Sequence, residues 1–223
     1  MMKIKLPFIC KPYMKRYFLV VLLAAICFFF TLVRHIITGR RTYYFLNWNL
    51  LLALIPMFVS LIISSRFVKN RPKILTAVLF VIWLLFFPNA PYIITDLYYL
   101  NRHSERMFWY DLITIMLFAW TGLLAGFLSM DIIRETLLSK LSRIKNIIAV
   151  CGLWFISAFG VYLGRVLRWN TWEIFVDPKE FFLDVIDRFI NPIGHSNTWG
   201  FTFFMGVFLN ITYWSLKIIQ KKD

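Results

Sequence analysis

Six apolar stretches alternate along this chain with short segments rich in Lys and Arg. Each stretch is close to the roughly 20 residues a helix needs to cross about 30 Å of hydrocarbon. The expected spans are about 17–33, 44–65, 74–95, 112–130, 147–164 and 198–216. Of the 25 Lys and Arg residues, 16 fall in alternate segments that would share one side, together with only 3 of the 11 acidic residues. They include Arg66, Lys69, Arg71 and Lys73 after the second span, Arg134, Lys140, Arg143 and Lys145 after the fourth, and Lys217, Lys221 and Lys222 at the end. Basic residues near span ends resist translocation, so the asymmetry orients the chain with both termini in the cytoplasm. The expected fold class is all-α: a polytopic transmembrane helix bundle, one integral-membrane domain over 1–223.

Composition narrows the function classes. The chain is 60% hydrophobic and 16% charged, against about 25% charged for a soluble domain. Its net charge of +14 raises a nucleic-acid role, but the basic excess sits almost wholly in the cytoplasmic segments and reads as an insertion signal. Cys10, Cys27 and Cys151 fall in the N-terminal tail and in spans, so no disulfide is expected. The run from Tyr17 to Val33 ends in Arg34-His35-Ile36 without a small-x-small cleavage site and reads as an uncleaved first span.

No span carries Asp, Glu, Lys or Arg near its centre. Ion-coupled pumps usually keep such a group at mid-depth, so that class is disfavoured. Asn210 is the deepest strongly polar side chain, suited to an interhelical hydrogen bond. Gly122 with Gly126, and Gly160 with Gly164, each put two small residues on one helical face. The spacing predicts that the fourth and fifth spans pack on each other.

The third span is interrupted at Phe87-Pro88-Asn89-Ala90-Pro91-Tyr92. Two prolines remove backbone donors and bias the residues before them away from helix, so a kink or unwound turn is expected. Asn89 is placed to satisfy a freed carbonyl or to face a polar cavity. A rise of about 1.5 Å per residue from Lys73 carries Asp96 roughly 34 Å across, to the outer boundary. Arg165, Arg168, Trp169 and Trp172 share one face if the fifth helix continues past Gly164. Two guanidiniums beside two indoles suit an anionic group, with Asp96 and Asp111 as candidate partners. The structural alternative is that these charges pair with one another while the tryptophans anchor the interface.

Before the last span, Asp177-Pro178-Lys179-Glu180 combines an N-cap residue, a proline at the first helical position and a glutamate at the third. It predicts an interfacial amphipathic helix over about 178–190. Its apolar stripe would be Phe181, Phe182, Val185, Ile186, Phe189 and Ile190, opposite Lys179, Glu180, Asp184, Asp187 and Arg188. Such a helix lies in the outer interface or caps the bundle as a lid. His35, His103 and His195 fall in outer loops with Glu105, without diagnostic metal-ligand spacing, and neither a metal nor a cofactor is expected.

Two strings carry a family likeness: Phe87-Pro88-Asn89-Ala90-Pro91-Tyr92-Ile93-Ile94-Thr95-Asp96-Leu97 and Tyr162-Leu163-Gly164-Arg165-Val166-Leu167-Arg168-Trp169-Asn170-Thr171-Trp172. They resemble the two signature stretches of a bacterial multi-pass membrane-protein family known only as domain of unknown function 1361. The likeness implies the bacterial cytoplasmic (inner) membrane and the same helical fold, and it brings no activity. Where that pattern often has a His three residues after the Asp, this chain has Tyr99, which weakens any acid–base or metal role there.

The leading functional expectation is an outer-leaflet pocket of Asn89, Asp96, Asp111, Arg165, Arg168, Trp169 and Trp172 that binds an anionic headgroup or small solute, with the lipid bilayer as the other partner. If that pocket is catalytic, transfer or hydrolysis on a lipid-linked group suits its depth. A small-solute transporter gated at the proline break, and a structural subunit of a membrane complex, are the alternatives.

Overall fold

The computed structural model describes residues 11–65, 72–102, 107–169 and 176–220. The backbone there is helical: α1 (Lys11–Thr38), α2 (Tyr44–Ser64), α3 (Lys73–Phe86), a single turn (Asn89–Tyr92), a 3-10 helix (Ile93–Arg102), α4 (Phe108–Thr136), α5 (Arg143–Arg165), α6 (Pro178–Ile190) and α7 (Ser196–Gln220). Six segments of it are long and apolar enough to cross a membrane, with α3, the turn and most of the 3-10 helix counting as one. The chain is thus an all-α, multi-pass membrane protein. Its packing divides into two compact units, Met1–Lys140 and Leu141–Asp223.

In the first unit α4 is the central helix. It is apolar nearly all round; its residues from Thr121 to Ile133 are buried apart from a partly exposed Leu124, while Ile113, Met116 and Trp120 of its first half are exposed. α1, α2 and the broken third segment pack around it. Cys27, Leu46, Leu50, Ala53, Met57, Ile115 and Phe118 form the core between α1, α2 and α4. Phe18, Leu22, Phe29 and Leu32 of α1 point outward, as hydrocarbon-facing residues of a span do.

The proline break takes a defined form. The Ala90 N–H, which a continuous α-helix would give to Phe86, goes instead to the Phe87 carbonyl at 3.2 Å. Asn89 Nδ2 then donates to the orphaned Phe86 carbonyl at 3.0 Å, the role expected of it at a break. Beyond the turn the backbone tightens into 3-10 geometry, and Thr95 Oγ1 donates to the Tyr92 carbonyl at 2.6 Å.

The glycine pattern acts within this unit. A Cβ built on Gly122 would lie 2.7 Å from the Ala90 carbonyl oxygen and 3.1 Å from Ile93 Cδ1. The face of Gly122 that the spacing assigned to the fifth span thus receives the proline break. The backbone there approaches so closely that only hydrogen fits.

In the second unit α5 and α7 form an antiparallel pair. Gly206 of α7 lets the Phe155 ring occupy the space that a side chain would take. Asn210 Nδ2 donates to Cys151 O of α5 at 3.4 Å and to Gly206 O at 2.8 Å, the interhelical bond its depth suggested.

α6 spans the residues expected and is capped as expected, with the Asp177 side chain accepting from the Glu180 N–H. Its orientation is not the expected one. Phe181, Asp184, Val185 and Arg188 are turned inward, while Phe182, Leu183, Ile186, Phe189 and Ile190 are exposed. The partners of the polar groups explain this. Trp169 Nε1 donates to Asp184 Oδ2 at 2.8 Å, and Trp199 Nε1 donates to the Arg188 carbonyl at 3.1 Å. Two half-buried indole donors are best satisfied by acceptors, and an apolar face exposed on a membrane protein carries little penalty.

Candidate functional site

The site residues of the first unit lie where α1 ends and α4 begins. Asp111, in the first turn of α4, has no exposed surface. Its carboxylate is held by Arg34 in a bidentate pair, with Nε 2.5 Å from Oδ1 and Nη2 2.9 Å from Oδ2. Fork-on-fork geometry makes this among the strongest polar contacts a protein can form. The guanidinium carbon lies 4.7 Å from the centre of the Tyr43 ring, adding a cation–π contact in a dry setting. Burial, and then the negative charge of Asp111, push the Tyr43 hydroxyl up to about 12. Tyr43 therefore stays protonated across the working pH range, as a neutral wall to the pair.

Asp96 is also fully buried, and Asn49 Nδ2 of α2 donates to its Oδ2 at 3.0 Å. A second Asn of α2, Asn47, accepts from Thr31 of α1 at 3.1 Å. The Tyr110 hydroxyl donates to the Phe30 carbonyl at 2.8 Å. These bonds tie α1, α2, α4 and the 3-10 helix together at one end of the unit. At the opposite end Arg16 approaches the buried Asp131 at 3.9 Å. Asn89, Asp96 and Asp111 thus all have partners inside their own unit, and the carboxylate of Asp111 is matched by Arg34.

The site residues of the second unit gather at the end of α5, which stops at Arg165. Arg168 adopts a left-handed backbone at φ 62°, and the Trp169 N–H bonds back to the Leu163 carbonyl at 3.1 Å. The bond reaches six residues back, one more than in a Schellman ending, and the left-handed position it closes normally belongs to glycine. The expected helical face through Arg165, Arg168, Trp169 and Trp172 therefore ends at the first of the four, because the chain reverses at Arg168. Arg168 is left exposed while Trp169 is tied to Asp184 and packs edge-on against Phe181. Trp172 lies outside the described residues, as do His103 and Glu105.

Sequence reasoning missed Arg34 and Asn49 as site partners. Arg34 reads as the residue that ends the first span, and its carboxylate is 77 residues away. The signal that was available is general: a strongly polar side chain within two turns of a span end is buried only with a partner. Arg188 and Asp184 escaped for a related reason, since charged residues on an amphipathic helix are expected to face solvent. Among the described residues no three His, Cys, Asp or Glu side chains are grouped as metal ligands.

A model described as "Protein of unknown function (DUF1361)" matches residues 48–212, from α2 to α7. The chain belongs to that family. No curated protein and no solved structure matches it.

Proposed function

We propose that this integral membrane protein receives an anionic headgroup or small anionic solute at the outer-leaflet ends of its spans, with Arg168 as the first contact and Arg165 adding charge. Both termini then lie in the cytoplasm of a bacterial cell, the orientation favoured by the Lys and Arg distribution. The observation that carries the reading is the backbone of Arg168. A left-handed residue other than glycine costs roughly 1–2 kcal/mol, and strain of this kind is retained where a side chain is needed. What Arg168 brings that glycine lacks is an exposed guanidinium with paired donors, suited to phosphate or carboxylate. Arg165, in the last turn of α5, also opposes the negative end of the helix dipole. In this reading Asn89, Asp96 and Asp111 act as the frame of their own unit rather than as ligand contacts.

Arg168→Gly tests it by separating stability from binding. Removing the strain should raise the unfolding free energy by about 1 kcal/mol, read by thermal unfolding in one detergent. The same variant, purified from bilayers of equal phosphatidylglycerol and phosphatidylcholine, should lose the several-fold enrichment of bound phosphatidylglycerol expected of the parent protein. Unchanged enrichment would exclude Arg168 as the anion contact.

A further inference from the structure

The segment that follows the proline break keeps 3-10 geometry for ten residues, Ile93–Arg102, where such runs rarely exceed about three or four. Its sequence does not demand that winding. At α-helical spacing Ile93, Leu97 and Leu100 fall on one apolar stripe, with Thr95 opposite. At three residues per turn the continuous ridge is instead Ile93, Asp96 and Tyr99. That ridge is the one turned inward. Ile93 and Asp96 have no exposed surface and Tyr99 is half-buried, while Leu97 is 37% exposed and Tyr98 66%. A leucine is left at the surface so that a carboxylate can be turned in.

Contacts with α2 and α4 select the ridge. Ile93 packs against Gly122 of α4. Asp96 accepts from Asn49 of α2 at 3.0 Å, and Tyr99 meets Phe45 of α2 edge-on, with ring centroids 5.4 Å apart. The spacing of the last two contacts carries the argument. Phe45 and Asn49 stand four residues apart on an α-helix, about 6 Å along its axis. Asp96 and Tyr99 stand three residues apart, which is about 6 Å in a 3-10 helix and about 4.5 Å in an α-helix. The pair on α2 therefore matches the segment in its longer winding, and the winding is imposed from outside.

We propose that Ile93–Arg102 is a two-register element: with Asn49 bound to Asp96 it stands as a 3-10 helix, and on release it rewinds as an α-helix that turns Leu97 inward and Tyr99 outward. Each register has a ridge of its own, a polar and aromatic one in the 3-10 form and an aliphatic stripe in the α form. The near end stays fixed, because Gly122 receives both Ala90 and Ile93. Rewinding removes about 0.5 Å of rise per residue, so the far end retracts by about 5 Å. It also turns each residue about 20° relative to the one before, a rotation of about 120° between Ile93 and Tyr99. The bond from Asn49 to Asp96 is the catch. A stretch of 3-10 helix in line with a span is a common form of hinge, and here the moving part is the end of the third span. The device belongs wholly to the first unit and does not depend on the anionic reading of Arg168.

The test uses the full chain in lipid nanodiscs, with Cys10, Cys27 and Cys151 replaced by Ser. Spin labels are placed at Tyr98→Cys and Ile62→Cys, both exposed positions. Ile62 lies toward the opposite end of α2 from Phe45, so the distance between the labels reads movement along the axis. Asn49→Leu should shorten it by about 2–3 Å, the rise lost over the five residues from Ile93 to Tyr98. Asp96→Leu should give the same new distance. Asp96→Asn keeps an acceptor for Asn49 and should hold the parent distance. Circular dichroism should report the same total helix in all four proteins.

An unchanged distance in both leucine variants would overturn the proposal. So would a broad distribution of distances with a loss of helix, because the segment would then unwind and not rewind. A shift in Asp96→Asn as large as that in Asp96→Leu would also overturn it, since the catch would then not be the hydrogen bond.

Discussion

Arg34→Ala is expected to lower the unfolding free energy by about 3–5 kcal/mol, the usual consequence of removing one partner of a buried pair. The substitution leaves the Asp111 carboxylate without exposed surface and without its two guanidinium donors. Asp111→Ala should cost a similar amount, because Arg34 is then the stranded charge. The two losses should not add. In Arg34→Met/Asp111→Leu neither charge remains, and the double variant should regain most of the stability, since hydrophobic replacements of buried pairs are often neutral or better.

Arg34→Lys should sit between these outcomes, keeping the charge and losing the fork that engages both carboxylate oxygens. Unfolding in a mixed micelle, followed by helix content, gives the comparison. Additive losses in the double variant would mean that the pair does not act as a unit.

Gly122→Ala should be the most damaging of the small-residue changes. The new methyl group would lie 2.7 Å from the Ala90 carbonyl oxygen, which belongs to the turn between two prolines and cannot rotate away as a side chain can. Overpacking of this kind costs about 1–3 kcal/mol, and a backbone obstacle places the change at the upper end. The displaced element is the proline break, so the hydrogen bond from Asn49 to Asp96 just beyond it should weaken as well. Gly152→Ala is the internal control. It also lies within a helix but meets no atom within 4 Å, and alanine should be neutral or stabilising there by up to about 1 kcal/mol. Equal effects at the two positions would show that helix propensity, and not the approach of the break to α4, governs Gly122.

Much of the architecture was legible because each feature is local. Length and hydropathy set the spans, since a helix in hydrocarbon must satisfy its own backbone within about 20 residues. Pro88 and Pro91 located the break, and Asn89 its remedy, because the missing N–H groups can be counted from the chain. The Asp177 cap and Pro178 marked the start of α6 to the residue. The facing of α6 was not legible. Its inward side is chosen by the indole donors of Trp169 and Trp199, which lie outside the helix and do not enter its periodicity.

The candidate site shows the same division. Arg168 lies just past a span end, as its place in the sequence indicates, yet a helical face through it requires α5 to continue, and a left-handed reversal on a non-glycine residue is not announced by its neighbours. Arg34 and Asp111 each read as a charge at a span boundary. That they are partners is decided by the packing of α1 against α4.

From sequence alone, then, come the membrane setting, the number of long apolar helices, the proline break and the capped α6, because each depends on residues close together in the chain. Tertiary structure alone decided that Asp111 belongs to Arg34 and Asp96 to Asn49, and that Gly122 receives the break. These depend on which helices meet and at what register, and no span carries that information by itself.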